Sequence, residues 1–126
     1  MERVSYNIEI LFRASTTIVH KFLTTPDCLI RWFCDKADIV DNEYIYSWNG
    51  DEQMAAIIDD VEGEYVRLQW DDAESDDEFL EFRLSKSPVT NETILIITDW
   101  CDDDEIEDQK QLWINQMGAM KKAMGG

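Results

Sequence analysis

The residues of this sequence best suited to hold a ligand are aromatic rings and thioethers. Trp48, Trp70 and Phe82 fall in strand-like runs, and Trp113, Met117 and Met120 fall in a helix-like one. From Trp113 the apolar positions step by 4, 3 and 4 through Met117, Met120 and Met124, which is one stripe of an α-helix. Wide apolar rings with polar tips, beside adaptable sulfur, are what small-molecule sites are lined with. Trp48, Trp70, Phe82, Trp113, Met117 and Met120 are therefore the expected ligand-binding residues. The competing reading is that the same stripe simply fills a core.

Catalytic and metal chemistry finds less material. The one histidine, His20, stands beside Lys21 and is expected on the polar, solvent-facing side of a short helix. A hydroxyl or thiol nucleophile needs a base held within hydrogen-bond reach, and Ser15 is better used as a helix cap. Glu81 and Arg83 alternate with Leu80, Phe82 and Leu84 and are expected to face solvent. Phosphate-cradling glycine loops and zinc spacings are absent. Cys28 and Cys34 are six apart in a helix-like segment, so they lie on different faces. With Cys101 they make an odd set of three, expected to be buried, reduced thiols in a cytoplasm. No catalytic residue, metal site or cofactor is expected.

Charge sets the remaining boundaries. The 126 residues carry 11 Lys+Arg against 28 Asp+Glu, a net charge of -17. Residues 71–78 hold six of the acids and residues 99–108 seven, with no base in either stretch. The first reads as a solvated hairpin loop. The second opens a helix, where Asp102 would cap with Glu105 three residues on. A calcium loop would need alternating oxygen ligands and a glycine, which Asp102-Asp103-Asp104-Glu105 lacks. Binding of nucleic acid or an anionic membrane needs a basic face, and Lys121-Lys122 is the one adjacent basic pair. Neither partner is expected, nor is membrane insertion, since no apolar run approaches the roughly 20 residues of a span. The first residues lack the apolar stretch of a signal peptide.

The elements that must position these side chains are legible as periodicities. Residues 3–13 alternate as a strand. Ser15 or Thr16 caps a short helix with Val19, Phe22 and Leu23 on its buried face. Pro26 starts a second, at the position where its missing N–H is harmless. Strands are predicted over 37–40, 43–49, 53–60, 64–71, 78–86 and 92–100, with Asn49-Gly50 as a hairpin turn. Short connections favour an antiparallel meander. A final helix is predicted over 103–124, ended by Gly125. Its stripe must be buried, and the concave face of a curved sheet is the one large partner.

Four segments carry a family resemblance: Ser15 through Leu23-Thr24-Thr25-Pro26, Leu29-Ile30-Arg31-Trp32-Phe33, Leu68-Gln69-Trp70, and Glu92-Thr93-Ile94-Leu95-Ile96-Ile97-Thr98-Asp99. Together they resemble the START-like superfamily, also called helix-grip or birch-pollen-allergen-like. Within it the sequence is most similar to the group named for the activator of the heat-shock-protein-90 ATPase. One departure is Asp41-Asn42, where the family often has a Gly-Gly turn. The resemblance implies an α+β helix-grip fold over a single domain, residues 1–126: a curved antiparallel sheet wrapped around a long C-terminal helix, with two short helices after the first strand. It also implies a range of roles, since members include ligand carriers, cyclases and co-chaperones.

Three functions follow in order of support. The first is a non-enzymatic, cytoplasmic domain binding a small hydrophobic or amphipathic ligand, a lipid among them, between sheet and last helix. The second is an interaction or co-chaperone-like module whose acidic surface meets a basic protein partner. The third is a cyclase- or hydrolase-like enzyme, which would require an inward polar group with a shifted pKa. A monomer or weak dimer is expected.

Overall fold

A computed structural model describes residues 2–125. The element order is β1 (Arg3–Phe12), α1 (Thr16–Thr24), α2 (Pro26–Leu29), β2 (Lys36–Val40), β3 (Glu43–Trp48), β4 (Asp51–Val61), β5 (Tyr65–Trp70), β6 (Leu80–Lys86), β7 (Thr93–Asp102) and α3 (Ile106–Ala123). The strands form one antiparallel sheet in the order β1-β7-β6-β5-β4-β3-β2. It is a meander from β2 to β7, with β1 returning to the side of β7. This is the α+β helix-grip arrangement expected from the resemblance. Among the described residues no helix is long and apolar enough to cross a membrane.

Local chemistry explains the joints. The Ser15 hydroxyl accepts from the Ile18 backbone N–H and caps α1. Asn49 and Gly50 both have positive φ, the geometry of a type I′ hairpin turn. Asp41 and Asn42 adopt positive φ as well. They turn β2 into β3 without glycine because short polar side chains tolerate the left-handed region.

Register decides what faces inward. Tyr46 opposes Gln53, Ala55 opposes Trp70, Leu68 opposes Leu80, Phe82 opposes Ile97, and Ile97 opposes Ile8. With Tyr44 and Leu95 these residues make the concave face. Trp113, Met117 and Met120 of α3 pack onto it, the two methionines at 1% and 0% exposure. The Phe33 and Trp113 rings stack at 6.3 Å, and Phe82 meets Trp113 edge-on at 5.7 Å. Each methionine buried in this way contributes about 2 kcal/mol.

Four expectations are corrected. The last helix starts at Ile106, not residue 103, because β7 runs on through Asp102 and pairs it with Arg3. Asp102 is thus a strand residue, and Glu105 at the N-cap makes no side-chain cap bond. His20 is buried, with Nε2 2.7 Å from Oδ1 of Asp60. A β-bulge between Ile57 and Asp59 causes this: one extra residue reverses the alternation of β4, so that Asp60 opposes buried Val66 and shares its face. Glu81 is buried although it alternates with the core residues. It lies on the convex face, and Arg67 and Arg83 close over it at 2.6 and 3.2 Å.

Candidate functional site: a tryptophan cleft with an inward carboxyl

Where β3, β5 and β7 meet the first turns of α3, the core opens into a cleft of about 390 Å³. The sheet contributes Trp48 from β3, Gln53 from β4, Trp70 from β5, and Asp99 and Trp100 from β7. Gln109, Leu112, Trp113 and Gln116 come from α3, with Phe33, Asp72 and Arg3 completing the wall. The size is within the ordinary range of small-molecule sites. Trp48 is fixed by its indole N–H, which donates to the Phe33 carbonyl at 2.6 Å. Trp70 packs on Tyr46 at 5.6 Å.

Of the six residues expected at a ligand site, Trp48, Trp70 and Trp113 line this cleft. Phe82, Met117 and Met120 lie in the packed core, at 3%, 1% and 0% exposure, and not along its wall. Trp113 joins the two groups, since its ring is buried in the core and also forms part of the cleft.

Asp99 is the polar centre. It follows Leu95 and Ile97 on the inward phase of β7 and directly opposes Tyr6 of β1. Burial pushes its carboxyl up to about 6, against the pull of hydrogen bonds from the Trp100 backbone N–H at 2.8 Å and the Trp113 indole N–H at 3.3 Å. Two buried side-chain polar atoms find no hydrogen-bond partner among the described residues, the Tyr6 hydroxyl and the Trp100 indole nitrogen. Tyr6 faces Asp99 across the ladder and its hydroxyl helps to hold that carboxyl down, whereas Trp100 is the next residue of β7 and turns its ring to the other face, against Phe79. Burial, followed by the nearby Asp99 charge, also raises the Tyr6 phenol well above its usual range.

Arg3 is the one base on the cleft wall, and it is already engaged. Its guanidinium reaches Glu78 at 2.6 Å, Glu74 at 3.2 Å and Asp102 at 3.3 Å. The hydrogen bond from Arg3 holds the Glu78 carboxyl below the usual range, and raises Arg3 in turn.

Other surface features offer less. A groove of about 470 Å³ lies between α2 and the β2–β3 edge. Its ionisable wall residues Asp27, Asp35, Lys36, Asp38 and Glu52 are all exposed. Asp102, Asp104 and Glu105 bring carboxylate oxygens within 4.8 Å of one another on a partly exposed turn. Cys28, Cys34 and Cys101 are buried and free, and burial pushes the Cys34 thiol up to about 11. Such thiols are poor nucleophiles.

Asp99 is the residue that composition and spacing did not single out. The signal was present: extending the inward alternation Thr93, Leu95, Ile97 by one step lands on it. Its place inside a run of acids made it look like solvated surface.

Comparison with known proteins agrees with this architecture. A family model described as a START-like superfamily domain matches residues 1–126. No curated protein matches the chain significantly. Among solved structures, a protein from Bacteroides fragilis is 25% identical, with a TM-score of 0.70 over 98% of this chain and 93% of that one. The Aha1 dimer from Colwellia psychrerythraea superposes with a TM-score of 0.79 at 21% identity, over 95% of each chain. A protein from Mesorhizobium loti gives 0.78 at 15% identity, over 97% of each. With the family model covering every residue and the same sheet-and-helix arrangement in these structures, the chain belongs to the START-like superfamily.

Proposed function

We propose that the protein is a binding domain that holds a small amphipathic molecule in the cleft between the sheet and α3, without transforming it. The observation that carries this reading is the set of three tryptophans, Trp48, Trp70 and Trp113, around an opening of about 390 Å³. The ligand is compact. Met117, Met120 and Phe82 occupy the trough where a long acyl chain would otherwise run. Asp99 meets one requirement of an enzyme, an inward carboxyl whose proton comes off near pH 6. Hydrolysis or cyclisation also needs a nucleophile or activated water and a free donor for developing charge. Among the described residues the cleft wall carries no hydroxyl, thiol, imidazole or amine that could serve as nucleophile, and the Trp113 indole N–H is already spent on Asp99 itself. Binding therefore fits the geometry better than catalysis.

The test is intrinsic tryptophan fluorescence against a panel of small aromatic and aliphatic compounds, supported by native mass spectrometry. Saturable quenching that Trp70→Ala weakens about tenfold or more is the expected result. A panel that never perturbs the spectrum counts against the proposal.

A second reading rests on exposed acids. Asp71, Asp72, Glu74, Asp76 and Asp77 crowd the β5–β6 loop and lie largely in solvent, a field that would speed encounter with a basic protein. Glu78, by contrast, is consumed by Arg3. Capture of a basic partner that weakens with salt and is abolished by Asp76→Asn with Asp77→Asn would support this module. Capture unaffected by those changes would dismiss it.

A further inference from the structure

The geometry points to the charge class of the ligand: a small organic cation, an ammonium group on an aromatic or aliphatic body, with its charge against Asp99 and its body against the indoles of Trp48, Trp70 and Trp113. This rests on the binding reading above and specifies it. An anionic head would need a free base, and the one base on the wall, Arg3, is shared among Glu78, Glu74 and Asp102. A cation meets the opposite situation. Among the described residues no Lys, Arg or His lies within ion-pair distance of the Asp99 carboxylate, whose two hydrogen bonds come from neutral donors. Its charge is left to be neutralised from the cleft side.

The walls suit the same class. Indole faces attract ammonium groups through their quadrupole, most strongly when desolvated. Trp48 is tied by its N–H to the Phe33 carbonyl, which fixes the orientation of its ring. A net charge of -17 steers cations toward the protein at long range.

Cation binding of this kind depends on pH. Asp99 is faced by Arg3 and Tyr6 from β1, by Cys101 from its own strand and by Asp72 from the β5–β6 loop. From α3 the wall carries Gln109, Leu112, Trp113 and Gln116, all uncharged. Tyr6 and Cys101 are both raised, first by burial, so neither ionises near neutrality. Asp99 changes charge between pH 5 and 8, with its midpoint near 6. At pH 5 about a tenth of the molecules hold it ionised, and apparent affinity falls in proportion to that fraction.

Three probes share one body and differ in the head: phenethylammonium, phenethyl alcohol and phenylacetate. Calorimetric titration of the full chain at pH 8 is expected to rank the ammonium about tenfold or more above the alcohol, with phenylacetate weakest. At pH 5 the ammonium is expected to lose about tenfold while the alcohol is unchanged. Asp99→Asn is expected to remove the ammonium's advantage and keep the alcohol's affinity, which also reports that the cleft is intact. Equal binding of ammonium and alcohol by the wild-type protein at pH 8, or tightest binding of phenylacetate, overturns the cation assignment and leaves the cleft reading standing. If none of the three binds, or if Trp70→Ala binds them as the wild type does, the cleft reading falls and this inference falls with it. The wild-type pH series decides the matter without any variant.

Discussion

The two faces of the sheet treat a desolvated carboxylate in opposite ways. On the convex face, burial works to raise the Glu81 carboxyl, and hydrogen bonds from Arg83 and Arg67 overcome it, so the group is held below the usual range. The arginines are braced in turn by aromatic rings, Arg67 over Phe79 at 4.4 Å and Arg83 over Tyr65 at 4.5 Å. At the open end of the concave face, Asp99 has burial with no arginine of its own, and its carboxyl rises to about 6. A protein with 28 acids and 11 bases places paired carboxylates where structure needs them. Asp99, without an ion pair among the described residues, sits in a tryptophan cleft. A charge that the fold pays for and leaves uncompensated marks the place where a ligand can supply the compensation.

The contrast can be broken most sharply at Arg3, which touches both regions. Arg3→Ala strands Glu78, whose side chain is 6% exposed, and also withdraws the weak positive field that reaches Asp99. A loss of about 3 kcal/mol is expected in urea unfolding at pH 7, since removing one partner leaves a buried charge unpaired. A loss under about 0.5 kcal/mol would show that the cluster is ordinary solvated surface.

Asp99→Asn runs the other way. A carboxyl with its pKa raised in the folded state is bound to its proton more tightly there than in the unfolded chain, where the value is near 3.9. Its ionisation therefore lowers stability as pH rises from about 4 through about 6. The amide has no such cost, so the variant is expected to be about 2 kcal/mol more stable than wild type at pH 8. The two should converge below about pH 4. Thermal melts across that range check it, and a destabilised variant at pH 8 contradicts it.

Glu81 offers the opposite sign. Its lowered carboxyl contributes stability that is present above the unfolded value near 4.3 and is lost as pH falls through the folded value. Arg67→Ala and Arg83→Ala are each expected to cost about 1 kcal/mol, and the double variant more than their sum. Strict additivity in that cycle would mean that the two arginines do not share the carboxylate. The smallest effect is expected in the β5–β6 loop. Asp76→Asn with Asp77→Asn should stay within about 0.5 kcal/mol of wild type in chemical denaturation, because both acids are exposed.

The fold was legible in the sequence because its signals are local and repeated. Alternation placed all seven strands to within a few residues, and the Trp113–Met117–Met120 stripe declared its partner face. Asn49-Gly50 named its own turn. What escaped was set by relations between elements. The bulge at Ile58 that turns Asp60 toward His20 depends on pairing with β5, which no single strand reveals. Glu81 is buried by side chains two strand positions away and across the ladder, not by its own phase. The cleft was half legible: Trp48, Trp70 and Trp113 carry the aromatic signal, while Asp99 was hidden by its acidic neighbours. Whether an inward residue meets a filled core, like Met120, or an opening, like Trp70, depends on where the helix stops covering the sheet.

The most direct test of the account is the titration of one carboxyl. Carbon-detected NMR on the labelled protein can follow the Asp99 side chain from pH 3 to 8. The expected midpoint is about 6 in the free protein, shifting downward on saturation with phenethylammonium. A midpoint near the unperturbed value of about 3.9 that the amine does not move would contradict it.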